Sequence, residues 1–542
     1  MPIILTLKAT FPNVREATEA QRRFIPAIVQ GRQDVLLKGQ TGSGKSFGIM
    51  LALMSKPLPD NFLIQKLSRK PITSLLLVPH ADLAHQYLHW ISRMVRAADP
   101  SRSIDSIAQV IVRGDSSPDL VATQIVKLRS EPPFILIGTP QAIHDVAQKD
   151  PGALGIQYLS TVVVDEADFL IPSVPSHTPE KKREQLRRRI EMHPTLTKQL
   201  LDVVYRSRIR SDDGEETGSA LRPLPQLVMC SATLNTGLRA YIAQNRWMKQ
   251  GVNDVVKISD GQEDASRRSQ SEEEEEEEED ERTARAYLGP NISHSVLVVS
   301  EDGQVKNIAG AVDESEPAEE QEQDRHDIDI EAVAQHTHEP TSPETDTASE
   351  SLEKLPDDVV LRYEMTPSPY HAPSMETLAE IFAVNVPRVA LLVLSASSSI
   401  PRAVYDLQAL GVNARALDLL SPHGRDHLLR AQDSNDPSSP AAGYDAEPTL
   451  LVSNLAVIRG LDLPELSHVF LLGVPEAARK GDSYLHIAGR VGRFGRRGRV
   501  VTILRAEPYE EGGRRMSETR EMRKLLQQIR VVPVKYDYVE QK

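Results

Sequence analysis

The chain is 542 residues long, enough for two or three domains, and carries a formal charge of −14. Its one cysteine, Cys230, excludes internal disulfides and fits a reducing compartment, where a thiol at the end of an apolar strand reads as buried and inert. No apolar run approaches the ~18 residues that a membrane span needs, and the N-terminus, with Lys8, Arg15, Glu16 and Glu19, lacks the apolar core of a signal peptide, so a soluble, intracellular protein with no membrane partner is expected.

In chain order, the first informative stretch begins at Asp34-Val35-Leu36-Leu37, a short apolar run. Residues 39–46 then read Gly-Gln-Thr-Gly-Ser-Gly-Lys-Ser, and a helical pattern follows over 47–54. Gly39, Gly44, Lys45 and Ser46 fit the G-x-x-x-x-G-K-[ST] pattern in the strand–loop–helix setting that it requires. In such a loop the backbone N–H groups, those of Thr41, Gly42 and Ser43 included, face phosphates. Lys45 reaches the terminal oxygens and the Ser46 hydroxyl joins Mg²⁺.

Further strands are predicted near 75–78, 134–137, 161–164 and 227–230, with helical patterns between them. This predicts an α/β domain over 1–258, built on a parallel sheet covered on both faces. Thr161-Val162-Val163-Val164 leads directly into Asp165-Glu166-Ala167-Asp168. The carboxylates therefore project from a strand end, where open α/β sheets place their ligands. Both motifs, in this order and each after a β-type run, point to an NTP-hydrolysing fold.

The 62 residues between Asp168 and Ser231 contain a basic insertion over about 173–225. Lys181-Lys182-Arg183 and Arg187-Arg188-Arg189 fall on one predicted helix running on toward Arg210. It reads as a solvated helix, as an auxiliary RNA-contacting arm, or as a docking site for an acidic segment further on. From 259 to 358 there are 32 Asp and Glu against 7 Lys and Arg, a net of −25, which leaves about +11 on the rest of the chain. The motif-bearing part is thus basic, as contact with phosphates requires. Residues 272–279 are unbroken glutamate, and self-repulsion with few apolar residues predicts a disordered linker over 259–373. Only 292–299 within it reads as a strand. A second α/β domain is expected over 374–506, and a charged helical tail over 507–542.

Several further blocks give the sequence its resemblance. Ala17-Thr18-Glu19-Ala20-Gln21 precedes the phosphate-binding loop, and residues 79–86 read Pro-His-Ala-Asp-Leu-Ala-His-Gln. Gly114, Thr139-Pro140 and Ser231-Ala232-Thr233 follow. The second half adds Arg459-Gly460-Leu461-Asp462 and His486-Ile487-Ala488-Gly489-Arg490-Val491-Gly492-Arg493. With Asp-Glu-Ala-Asp, these resemble the signature blocks of the DEAD-box RNA helicases of superfamily 2, in family order and through nearly all of the chain outside the insert.

The resemblance implies two RecA-like domains drawn together by ATP and RNA. It gives Gln21 the adenine edge and Asp462 the ribose. Glu166 would activate water, and Arg490 and Arg493 would act as arginine fingers from the second domain. Asp168, Ser231, Thr233 and His486 would couple the γ-phosphate to domain closure. Pro79, Gly114, Thr139, Pro140, Arg459 and Gly460 would contact RNA, mainly along its backbone and hence with little sequence preference. ATP and Mg²⁺ are the implied cofactors, with Mg²⁺ on Ser46 and Asp165, and a monomer is expected. Protein partners would dock through the acidic insert or the basic arm. Motifs as divergent as these are similar to those of organellar and fungal relatives, which leans the compartment toward the mitochondrion and leaves nucleus and cytoplasm open.

The departures from the family pattern lie mostly along the RNA path. His80 and Ala81 replace Thr and Arg, Gln141-Ala142 replace Gly-Arg, and Ile487 replaces an arginine. Pro422 stands where glutamine is usual, and position 4 is aliphatic where an aromatic stacks on adenine. The sequence therefore predicts an RNA-dependent ATPase that unwinds or remodels RNA or ribonucleoprotein, with an ATP-gated RNA clamp of little turnover as the alternative.

Overall fold

The computed structural model describes residues 3–12, 14, 16–39, 43–57, 70–113, 119–174, 180–206, 224–231, 234, 236–249, 254–259, 292–313, 357–395, 398–417, 448–454, 458, 466–474, 480–491, 497–511 and 514–537. Two seven-stranded sheets organise them, the first parallel throughout and the second parallel except at one edge strand.

The first sheet contains β1 (Asp34–Lys38), β2 (Ser74–Leu77), β3 (Ala108–Ile111), β4 (Ile135–Gly138), β5 (Thr161–Val164), β6 (Gln226–Ser231) and β7 (Val255–Ser259). Their order is β3-β4-β2-β5-β6-β1-β7. The five predicted strands are among them. Side chains alternate between two cores, as a period of two demands. Val35, Leu37 and Val163 pack on one face, and Leu36, Val162 and Val164 on the other. Burial on both faces explains the near-continuous apolar runs that mark these strands in the sequence.

Flanking helices begin and end where local chemistry dictates. Helix Glu19–Gln30 starts with a capping box, in which Thr18 Oγ1 accepts from Gln21 N and Gln21 Oε1 accepts from Thr18 N. It ends at Gly31, whose φ of +69° suits a residue without a Cβ. The predicted basic helix forms over Glu180–Met192, with Arg187, Arg188 and Arg189 exposed. It does not run on toward Arg210. Pro194 cannot continue it, and Thr195 caps a new helix, Leu196–Val204, whose Leu200 and Leu201 enter the core. Trp247 fastens that helix, donating from Nε1 to Asp202 Oδ1 at 2.8 Å.

The second sheet contains β8 (Ile292–Val299), β9 (Val305–Asn307), β10 (Val389–Leu394), β11 (Ala414–Ala416), β12 (Thr449–Asn454), β13 (Leu466–Leu472) and β14 (Gly498–Arg505), in the order β11-β12-β10-β13-β14-β8-β9. The second domain therefore does not begin at 374. The strand predicted inside the insert pairs in parallel with β14 along its whole length, from Ile292↔Gly498 to Val299↔Arg505. Its Leu297 and Val299 join one core and its Val296 the other, which is why an apolar segment survives among acidic neighbours. Helix Asp357–Met365, also placed in the linker by sequence, docks on helix Ile400–Ala409. Arg402 there donates to the Tyr363 carbonyl at 2.9 Å and lies over the Tyr363 ring. The remaining acidic residues, 260–291 and 314–356, lie outside the described residues.

The tail is helical only over Glu518–Gln528. Before it, β15 (Tyr509–Glu511) and β16 (Arg514–Met516) pair antiparallel in place of the predicted helix. Met522, Leu525 and Leu526 bury that helix in the second domain. Among the described residues no helix is long and apolar enough to cross a membrane.

A polar contact inside the second domain has a pH consequence. His294 of β8 lies against Tyr484 of helix Lys480–Ala488, with Nδ1 and the hydroxyl 2.9 Å apart. Burial pulls the imidazole down to about 4. The folded value lies below the unfolded one, so this stability is fully present above about pH 6.5 and is lost as pH falls toward 4. Between pH 7 and 5 the loss is about 2 kcal/mol for such a shift. His294→Gln is expected to lose less stability than wild type over that interval, as read by denaturant unfolding at each pH.

Candidate active site

Sheet order brings three sequence motifs to one edge. β5, β6 and β1 are neighbours, with Val164 opposite Met229 and Lys38 opposite Ser231. The phosphate-binding loop leaves β1, Ser231 ends β6, and Asp165-Glu166 leave β5. Gly39 N donates to the Ser231 carbonyl at 3.3 Å, closing the row.

Lys45 is buried, and its ammonium donates to the Gly39 carbonyl at 2.6 Å and to Ser43 Oγ at 3.4 Å. The helix it begins, Lys45–Ser55, is entered through Gly44 at φ +80°. A Cβ on Gly44 would also meet Gln21 Nε2 at 2.7 Å. That amide donates to the Gly44 carbonyl at 2.9 Å, so Gln21 ties its helix to the loop. The loop helix is pressed closer still at Gly48, where a Cβ would stand 2.4 Å from the Phe24 ring.

On the acidic side, Asp165 is buried. Its Oδ1 accepts from Glu166 N at 3.0 Å and its Oδ2 from the Tyr87 hydroxyl at 2.7 Å. Tyr87, on helix Ala81–Ala98, was not singled out from sequence, because nothing in its spacing announces a contact across 78 residues. Burial and the Asp165 carboxylate keep the phenol protonated, well above its ordinary range. Burial and the same carboxylate also hold the Cys230 thiol up, in accord with an inert cysteine.

Glu166 adopts φ +54° and ψ +51°, a left-handed conformation that a residue with a Cβ rarely takes. Its Oε2 is buried and has no hydrogen-bond partner among the described residues. Burial pushes its carboxyl above the usual range. His486 opposes that shift, Asp168 and Asp165 add to it, and Lys45 opposes it weakly.

The second domain reaches this cluster. His486 Nε2 stands 3.8 Å from Asp168 Oδ2, with both side chains almost wholly buried. Arg490 is 1% exposed, and its Nε donates to the His486 carbonyl at 3.1 Å. Ile487 points the other way, into the second domain's apolar core.

Of the residues predicted for nucleic-acid contact, Pro79, Thr139 and Pro140 sit across the sheet from the phosphate-binding loop. Pro79 follows β2 and Thr139 follows β4, adjacent strands with Leu77 opposite Gly138. Pro140 opens helix Pro140–Lys149, where a ring at the first position costs no hydrogen bond. His80 has a structural task, since its Nδ1 accepts from Leu83 N at 3.3 Å and caps helix Ala81–Ala98. Ile4 is 64% exposed. Thr41, Gly42, Gly114, Thr233, Arg459, Gly460, Asp462 and Arg493 lie outside the described residues.

Two RecA-like α/β domains, with a phosphate-binding loop, strand-end carboxylates and a buried arginine from the opposite domain, define a nucleotide-dependent helicase core. A family model described as DEAD/DEAH box helicase matches residues 18–240, and one described as helicase conserved C-terminal domain matches 439–495. The chain belongs to the DEAD-box helicase family.

It is 29% identical over 174 residues to the mitochondrial translation ATP-dependent RNA helicase mrh5 of Schizosaccharomyces pombe, covering 31% of this chain and 28% of that one. It is 29% identical over 154 residues to the ATP-dependent RNA helicase DBP9 of Meyerozyma guilliermondii, covering 28% of this chain and 24% of that one. The match thus spans about a quarter of these relatives' length. A longer alignment, 22% identical over 519 residues, joins it to DBP7 of Yarrowia lipolytica, covering 94% of this chain and 52% of that one. In fold it is similar to Mss116p bound to single-stranded RNA and AMP-PNP, with a TM-score of 0.55, 15% identity and 99% and 78% coverage of the two chains. It is likewise similar to Dbp5 of S. cerevisiae bound to RNA and ADP BeF3, with a TM-score of 0.55, 14% identity and 100% and 95% coverage.

The close approach at Gly48 gives a direct test. Gly48→Ala must displace the Phe24 ring or the helix that carries it. It is expected to cost about 1–3 kcal/mol of first-domain stability, as overpacking does, and to weaken ATP binding. Thermal unfolding and nucleotide titration read the two effects.

Proposed function

We propose that the chain is an RNA-dependent ATPase that locally unwinds or remodels RNA or ribonucleoprotein. The observation that carries the proposal is the position of Glu166, a strained and buried carboxylate with Lys45 of one domain and His486 of the other close enough to bias its proton. A carboxyl raised by burial is suited to take a proton from water near neutral pH. Lys45 and the loop amides would hold the β- and γ-phosphates, and Gln21 the adenine edge. Arg490, with Arg493, would meet charge developing on the γ-phosphoryl group, assistance worth roughly 10³–10⁵ in rate in related chemistry. Since His486 and Arg490 come from the second domain, turnover waits on closure, and RNA held across both domains would favour the closed form. Asp168 and His486 would register that closure.

The donor set fits a hard divalent cation. Asp165 presents a buried carboxylate next to the orphaned Glu166 Oε2, and Ser46 offers a hydroxyl on the first turn of the loop helix. Among the described residues no three metal-binding side chains converge into a cage, which suits a cation that relies on one or two carboxylates and substrate phosphates. Mg²⁺, held by Asp165 and Ser46, would neutralise charge on the phosphate oxygens.

Pro79 and Thr139-Pro140 at adjacent strand ends support an RNA backbone path beside the ATP site. The S. pombe relative, mitochondrial by name, supports the lean toward that organelle. The second reading, an ATP-gated RNA clamp, would rest on Ile487, which is buried in the apolar core where the family has an arginine.

Steady-state ATPase assays with and without single-stranded RNA separate the two. The expected result is RNA-stimulated turnover, reduced about 10²–10⁴-fold in Glu166→Gln by loss of the general base. ATP-dependent RNA binding without turnover in wild type would support the clamp instead.

A further inference from the structure

Asp165 has a partner outside the family's motifs. The Tyr87 hydroxyl donates to Asp165 Oδ2 at 2.7 Å. A phenol has one proton to give, and Tyr87 spends it on Asp165.

The ring carrying this hydroxyl is itself held. Tyr87 is fully buried and meets Trp90 edge-on, with centroids 5.6 Å apart at 70°. Trp90 meets Phe47 at 5.4 Å and 85°, and Phe47 directly follows Ser46 in the chain. Phe47 meets Phe11 in turn, at 5.1 Å and 87°. The aromatic side chains and the Tyr87–Asp165 hydrogen bond thus link the phosphate-binding loop to the strand-end carboxylate.

We propose that Tyr87 is a positioning residue that pre-orients Asp165 for a divalent cation bound with the nucleotide. The proposal rests on the ATPase reading above. A carboxylate free to turn loses that freedom when it takes up a cation, whereas a phenol fixed on a rigid helix removes it during folding. Outer partners of this kind tune metal affinity far more than nucleotide affinity.

The test is a Mg²⁺ titration of the binding of a fluorescent ADP analogue to the full chain, repeated with Mn²⁺ followed by its EPR signal. In Tyr87→Phe the Mg²⁺ midpoint is expected to rise roughly tenfold, with nucleotide affinity in excess EDTA unchanged. Trp90→Phe, which keeps the hydroxyl and trims its support, should move the midpoint less and in the same direction, so the test does not depend on one variant's folding. A wild type with no Mg²⁺-dependent nucleotide binding overturns the ATPase reading and this role together. A wild type that shows it, with midpoints unmoved in the variants and only their unfolding temperatures lowered, overturns the role of Tyr87 alone.

Discussion

The parallel register of three strands governs everything at the candidate site. β6 lies between β5 and β1, and the main-chain ladder sets Val164 against Met229 and Lys38 against Ser231. Because successive side chains alternate faces, a slip of one residue in either pair would send Asp165 or the loop lysine to the wrong side of the sheet. Such a slip would also bury polar groups in a core now lined by Val162, Val164, Leu227 and Met229. The apolar packing that stabilises the first domain therefore also aligns its chemistry. The site gains this precision from contacts that never touch a ligand.

On that frame the loop is held from two directions. From one side Gln21 binds the Gly44 carbonyl, and its helix presses Phe24 against Gly48. From the other, Tyr87 packs on Trp90, which reaches the loop helix through Phe47. Arg93 lies over Phe11 at 4.9 Å and adds helix Ile3–Thr10 to this bracing. The strained Glu166 is tolerated because it leaves a strand fixed on both sides. The one partner of this cluster that can come and go is the second domain, through His486 and Arg490.

Much of this was legible in the sequence, and the reasons differ from place to place. The phosphate-binding loop and Asp165-Glu166 announced themselves because their chemistry is local: a spacing of glycines, a lysine and carboxylates after β-branched runs. The break at Pro194 was equally local and was passed over in favour of a longer basic helix. Tyr87 could not be read, since its meaning lies in a contact made through space. His80, seen in sequence only as a departure from an RNA-contacting block, turns out to cap a helix. The membership of β8 in the second sheet was hidden because an isolated apolar octet among acidic residues does not say which strand it will pair with.

The placement of β8 changes what the acidic region can do. Residues 314–356 leave and rejoin the same domain: Asp313 is fixed by Lys535 at 3.0 Å, and helix Asp357–Met365 by Arg402. Their length sets no limit on how far the two domains part. The covalent leash between domains is 260–291 alone, 32 residues that at full extension span at most roughly 110 Å. Evolution or an engineer could lengthen, shorten or replace 314–356 with another folded module and leave the leash untouched. Any change in 260–291 would alter the effective concentration at which one half of the active site meets the other.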